Sequence, residues 1–282
     1  PLDDIKKAHN NISSYIYKTP QIYSNALSTD NQKVFLKLES MQITGSFKLR
    51  GAVNKLLSLS DEQKKRGVIA VSTGNHGKGV AYAAKQLGIK STIFMSSLVP
   101  KHRCDAIESL GASVKIVGKN SDEADHYAKD YALNNGIELI HPFDDLKIIA
   151  GQGTIGLEMI DSMPSVDTVI VPTSGGGLIG GVALAIKAQK PNVNIIAVSM
   201  MRGPSLYESL KAGKPVDVVE EATLADCLGG SIGLENQYTF KIAQDVVDDF
   251  ILIDEDKIAE GIRFNFEFHK LVTEGAAATS IM

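Results

Sequence analysis

From Gly67 onward, short apolar runs alternate with amphipathic stretches, and that alternation narrows the chain to one architecture. Val68–Ser72, Ser91–Met95, Ser113–Val117 and Ile137–Ile140 read as strands, with helices over Asn75–Leu87, Lys101–Leu110 and Asp122–Asn134 between them. A second series follows His141-Pro142. It runs helix Leu146–Ser162 (despite an internal Gly-Gln-Gly), strand Thr168–Val171, helix Leu178–Gln189, strand Ile195–Val198, a strand within Val246–Ile253 and helix Asp256–His269. Near-continuous apolar strands separated by amphipathic helices predict parallel sheets covered on both faces. The expected fold is therefore α/β, with two doubly wound parallel-sheet domains. A small domain, residues 67–142, is inserted in a large one formed by 1–66 plus 143–282.

Three glycine-bearing turns carry the chemistry. In Gly45-Ser46-Phe47-Lys48-Leu49-Arg50-Gly51-Ala52, Ser46 reads as the N-cap of a helix over Phe47–Leu59, after a strand at Val34–Glu39. A lysine just inside a helix N-terminus feels the positive end of the dipole, which favours the neutral amine that condenses with aldehydes. The second turn, Ser72-Thr73-Gly74-Asn75-His76-Gly77, joins a strand to a helix. Free N–H groups at such a place bind a carboxylate or phosphate, and parallel α/β folds gather ligands at strand carboxyl ends. The third, Thr173-Ser174-Gly175-Gly176-Gly177-Leu178-Ile179-Gly180-Gly181, lets successive amides converge on a phosphate. Gly175, Gly177 and Gly180 also satisfy the dinucleotide fingerprint, but the next strand ends Ala197-Val198-Ser199-Met200 with no carboxylate for a ribose. No Gly-Lys-Ser/Thr follows either, so a Walker-type loop is excluded. An amine nucleophile, a carboxylate cradle and a phosphate cup suit an amino-acid substrate and a phosphorylated aldehyde cofactor, pyridoxal 5'-phosphate.

Bulk properties remove other classes. A net charge of −4 without a basic run argues against nucleic acid or an anionic membrane as partner. The two cysteines, Cys104 and Cys227, have no metal or redox spacing, and the six histidines are scattered, so no metal site is expected. Residues 1–8 are charged and helix-like rather than a signal sequence, and no apolar stretch approaches the roughly 20 residues of a membrane span. A soluble, cytoplasmic protein is expected.

With these motifs in order, the chain resembles the fold-type II pyridoxal-phosphate enzymes, which share a tryptophan synthase β-like fold and include threonine and serine dehydratases and serine racemase. The likeness spans nearly the whole chain and includes Ala150-Gly151-Gln152-Gly153-Thr154. Within the family it bears a closer resemblance to the hydroxyectoine-utilisation dehydratase, a threo-3-hydroxyaspartate ammonia-lyase type. That likeness rests on the 72–77 turn, Val198-Ser199-Met200-Met201-Arg202-Gly203 and Thr223-Leu224-Ala225-Asp226-Cys227-Leu228-Gly229-Gly230. The resemblance implies that Lys48 joins the cofactor covalently and later moves the substrate's Cα proton, with Phe47 beside the ring. It implies that Asn75 bonds the phenolic oxygen, that Ser72, Gly74, Asn75 and His76 line the substrate carboxylate, and that Ser174, Gly175, Gly176, Gly177 and Leu178 hold the phosphate. Glu274 falls near the ring.

Thr73 stands where the family's racemases place a serine that acts on the second face of the substrate. Ser199 replaces the glutamate that ligates a metal in serine racemase. Cys227, in place of a common glycine, reads as a small buried hydrophobe. Arg202 is a candidate partner for a second substrate carboxylate, or simply a surface arginine. The resemblance also implies a homodimer, and a further strand beyond Met282 whose Ser, Thr or Cys meets the pyridine nitrogen. The expected activity is β-elimination of threonine, serine or threo-3-hydroxyaspartate. Racemisation, β-replacement and a non-catalytic amino-acid sensor are the alternatives.

Overall fold

The computed structural model describes residues 2–72, 74–97, 99–119 and 121–282, without the side chains of 121 and 122. By internal contact it divides into two compact units: Pro1–Lys6, Thr19–Leu38 and Phe143–Met282 form one, Lys7–Lys18 and Glu39–Pro142 the other. The expected domain break at 66/67 is not where the contacts divide. Residues 39–66 group with 67–142 because the helix carrying Lys48 packs onto the helix that opens at Asn75.

The chain begins with α1 (Leu2–Ile12), the antiparallel pair β1 (Gln21–Tyr23) and β2 (Phe35–Lys37), then α2 (Lys48–Leu57). Along α2, Leu49, Ala52, Val53 and Leu56 are all fully buried. Their i, i+3, i+4, i+7 spacing is one helical face, so burial of that stripe rather than propensity fixes the helix. The helix starts one residue later than expected, with Phe47 at the N-cap in helical conformation. Ser46 still contributes, its Oγ accepting the Lys48 N–H at 3.4 Å. Next come α3 (Asp61–Arg66), opened by a Ser60/Gln63 capping box, and β3 (Val68–Val71), α4 (Asn75–Gln86), β4 (Ser91–Met95), α5 (Lys101–Ser109), β5 (Ser113–Ile116), α6 (Ser121–Asn135) and β6 (Glu138–Leu139).

The sheet of this unit is parallel, in the order β5-β4-β3-β6, with Val68 opposite both Ser91 and Glu138. Ile69, Phe94, Ala128 and Ala132 form a core cluster, the two alanines letting α6 approach the strands. Where α4 passes α2, a side chain on Gly79 would sit 3.2 Å from the backbone of Lys48 and Leu49.

The other unit contains α7 (Leu146–Ser162), β7 (Thr168–Pro172), α8 (Gly177–Lys187), β8 (Asn194–Met200), α9 (Ser205–Ala212), α10 (Thr239–Val246), β9 (Asp249–Ile253), α11 (Glu255–Phe264) and α12 (Gly275–Ala278). Its parallel sheet runs β7-β8-β9, with Ile170 opposite Ile196 and Val198 opposite Ile251. The central β8 is mostly buried, but Ile170 and Ile251 on the flanking strands stay 47% and 41% exposed. Complete cover on both faces therefore does not hold at these strands. The helix expected to reach His269 changes to a π-turn at Asn265–His269, ending in Lys270 at φ 58°.

Gly153, the second glycine of the Gly-Gln-Gly inside α7, and Gly156 both face α8. A Cβ on Gly153 would lie 2.9 Å from the Gly181 carbonyl, and one on Gly156 2.7 Å from the Val182 carbonyl and 3.0 Å from the Ala185 Cβ. These helices touch backbone to backbone, which outweighs the intrinsic helix penalty of glycine. Gly156→Ala is expected to lower unfolding stability by about 3 kcal/mol, at the upper end for overpacking, as read by denaturant titration.

Candidate active site

In the unit of residues 39–142, the loop before α2 turns at Gly45, whose φ of 78° suits glycine. Lys48 opens the helix, and its Nζ donates to the Pro142 carbonyl at 2.8 Å while lying 5.3 Å from the centre of the Phe47 ring. The amine is thus held at a defined place by an acceptor that carries no charge. Behind it, Arg50 is fully buried. Its Nε and Nη2 donate to the two oxygens of Glu39 at 2.9 and 2.8 Å.

At the 72–77 turn the Ser72 Oγ accepts the Gly74 N–H at 3.2 Å, and the space a Gly74 side chain would take is open. Asn75 is the first residue of α4 and half-buried. His76, expected to line the substrate carboxylate together with Ser72, Gly74 and Asn75, turns its ring inward. It is buried, and its Nε2 donates to the Ile140 carbonyl at 2.8 Å. Burial first, then the nearby Lys48 charge, lower its pKa to about 3; the Ile140 bond opposes this and His141 adds to it. The imidazole is neutral and engaged inside the unit, so any contact with an anion falls to its backbone N–H. Thr73 lies outside the described residues.

In the other unit, the turn between β7 and α8 places Gly176 at φ 86° as the N-cap. Among the described residues, no acceptor is found for the N–H groups of Ser174 to Leu178. They stand at the positive end of an eleven-residue helix, which fits a phosphate. The glycines themselves are demanded from behind. A Cβ on Gly175 would run into the Phe143 ring; one on Gly177 would lie 2.9 Å from the Phe143 carbonyl, and one on Gly176 2.9 Å from the Thr239 Cβ. Asp144 secures that back wall by accepting the N–H groups of Gln237, Tyr238 and Thr239 at 2.7–2.9 Å.

Glu274 is exposed at the N-cap of α12, and the Cys227 thiol donates to its Oε2 at 3.4 Å. Cys227 is exposed rather than a buried hydrophobe. Partial burial of the sulfur, then the Glu274 and Asp226 carboxylates, hold this thiol far above its ordinary range. Ser199 is buried, its Oγ turned to the Met200 sulfur, and exposed Arg202 is occupied by the Ala222 carbonyl. Among the described residues no cluster of His, Cys, Asp or Glu could hold a metal ion. Ser24, His269 and Asn265 line up as a hydroxyl–imidazole–amide relay, Ser24 Oγ to Nε2 at 2.7 Å and Nδ1 to Asn265 at 3.2 Å. Ser24 is buried and also accepts the Leu27 N–H, so the relay is a strut and not a nucleophile.

Residues 12–282 match the model of the family described as pyridoxal-phosphate dependent enzyme. The chain belongs to that family. It is 46% identical over 281 residues to a putative threonine dehydratase from Sinorhizobium fredii, covering 99% of this chain and 85% of that one. It is 43% identical to a Staphylococcus aureus protein named L-threonine dehydratase catabolic TdcB, covering 98% and 80%. Among solved structures it is similar to maize serine racemase, with a TM-score of 0.93, 34% identity and coverage of 100% and 86%. The enzyme has the fold-type II architecture, and pyridoxal phosphate is its cofactor.

Sequence reasoning singled out the Lys48 stretch and both other glycine turns, yet it gave no role to Gly79, Phe143, Asp144 or the Arg50–Glu39 pair. Only Arg50 left a trace, as a charge adjoining the apolar stripe of α2.

The state of His76 sets a pH dependence. The unfolded chain binds a proton below about pH 6.5 that the folded enzyme refuses until about pH 3. Stability contributed by this group is therefore full above 6.5 and lost as pH falls, by up to ~1.4 kcal/mol per pH unit. Comparing denaturant unfolding of the wild type and His76→Gln across pH 4–7 should show a steeper acid loss in the wild type.

Proposed function

We propose that the enzyme is an ammonia-lyase that β-eliminates a small β-hydroxy amino acid to a 2-oxo acid and ammonia. Threonine and serine are the leading substrates and threo-3-hydroxyaspartate the third. The observation that carries this reading is the Lys48 amine, held 2.8 Å from a neutral carbonyl at the first residue of a helix. The threonine dehydratase names of the relatives support it.

Lys48 is the residue that would carry pyridoxal phosphate through its amine, and the same amine is assigned to take the proton from the substrate Cα. When bound, that cofactor supplies the electron sink for the carbanion. The Ser174–Leu178 amides would hold its phosphate, and Phe47 and Glu274 are the residues assigned to its ring. Asn75 serves the phenolic oxygen, while Ser72, Gly74, Asn75 and the His76 N–H hold the substrate carboxylate. In net terms the Cα–H and Cβ–O bonds break and water leaves. Hydrolysis of the released enamine then gives the oxo acid and ammonia.

A second reading is racemisation of serine or aspartate, favoured by the likeness to maize serine racemase. It would use Thr73 as the acid on the opposite face of the substrate. We also propose a cytoplasmic homodimer. The family resemblance supports the dimer, and two cysteines outside any disulfide suit a reducing compartment; light scattering tests the dimer. The deciding experiment supplies threonine, serine and threo-3-hydroxyaspartate to the purified enzyme and follows 2-oxo acid, ammonia and optical inversion. Inversion without ammonia favours the second reading, and no turnover of any substrate overturns the first. Lys48→Ala is expected to lose oxo-acid release by at least about a thousandfold.

A further inference from the structure

Arg50 lies two residues beyond Lys48 on the same first turn of α2, with no exposed surface. Successive helical positions turn by about 100°, so the two side chains leave the helix on nearly opposite sides. Lys48 reaches the Pro142 carbonyl, and Arg50 reaches back to the segment that delivers the chain to α2. That segment is tied at three points. Glu39 takes both arms of the Arg50 fork, and Arg50 Nη2 also approaches the Tyr17 carbonyl at 3.4 Å. Gln42 is buried and grips the Tyr17 main chain twice, accepting its N–H and donating to its carbonyl, both at 2.9 Å. Gly45 then donates to the Gln42 carbonyl at 2.7 Å and turns the chain toward Lys48.

We propose that Arg50, through Glu39, is a positioning residue that fixes the start of α2 and so aims the Lys48 amine. A buried guanidinium is costly unless paired, and a planar bidentate fork fixes both distance and angle between helix and turn. A lysine would keep the charge but make a point contact that leaves the angle free. Plain burial cannot account for this choice of residue, since the neighbouring positions Leu49, Ala52 and Val53 fill the same helix with apolar groups.

The proposal rests on Lys48 being the cofactor-bearing residue, so the test reads that separately. Cofactor-saturated wild type, Arg50→Lys, Glu39→Gln and Leu49→Ala are treated with borohydride, and the rate of cofactor trapping at Lys48 is measured by peptide mass mapping. Unfolding curves, kcat and KM are recorded for each. Leu49→Ala is the control that weakens the same helix turn without touching the fork. Arg50→Lys is expected to slow trapping at Lys48 and lower kcat about tenfold, with KM changed less than twofold. Glu39→Gln, which keeps one acceptor, should fall between it and the wild type, while Leu49→Ala loses stability and keeps trapping near the wild-type rate. The proposal is overturned if trapping in Arg50→Lys and Glu39→Gln merely follows stability along the line set by Leu49→Ala. Wild type that traps no cofactor at Lys48 overturns the functional reading itself, and the proposal with it. If Arg50→Lys does not fold, Glu39→Gln against Leu49→Ala decides alone.

Discussion

Helices in this enzyme meet backbone to backbone, and that constraint governs where the start of α2 and the start of α8 stand within their units. Gly79 lets α4 rest against the peptide that carries Lys48, and Gly153, Gly156 and Gly181 let α7 and α8 interlock. The helices α4 and α8 each follow a turn with polar or unpaired N–H groups, and each is locked within its first turns by such a contact. A ligand-binding helix N-terminus is useful only if it does not recoil, and close packing against main chain is stiffer than packing through long side chains. The glycines thus serve positions as much as loops.

Charge is managed by the same economy. His76 is buried close enough to Lys48 to feel its charge and is held neutral, so no second cation competes with the amine. Arg50 is buried with its charge matched by Glu39, and in the other unit Lys37 is matched by Glu158 and the Thr19 carbonyl. Each buried ion therefore has a geometric duty. Unpaired it would cost several kcal/mol; paired, it yields specificity of arrangement more than net stability.

The strand–helix alternation was legible because burial leaves a periodic mark, and most elements fell within a residue or two of the reading. Elements without that mark were missed. The start of α10 is capped by Asp144, 95 residues away from Thr239, so nothing local announces it. The late change to a π-helical turn at Asn265 goes with side-chain ties that helical periodicity does not announce, Asn265 bonding Thr273 eight residues on and His269 bonding distant Ser24. Grouping by contact differs from the 66/67 expectation for a related reason: α2 follows the upstream segment in sequence order and packs with α4.

Local order along the chain determined the turns, the lysine at a helix start and the parallel α/β class, since each depends on residues that are neighbours in sequence. Tertiary structure alone decided what surrounds those residues. It turned the His76 imidazole into an internal strut, and it opened Cys227 to solvent beside Glu274. It also showed that the glycines at 175–177 are demanded by Phe143 and Thr239 behind them. Burial, partner and pKa are properties of the space around a side chain, and that space is filled by residues from distant parts of the chain.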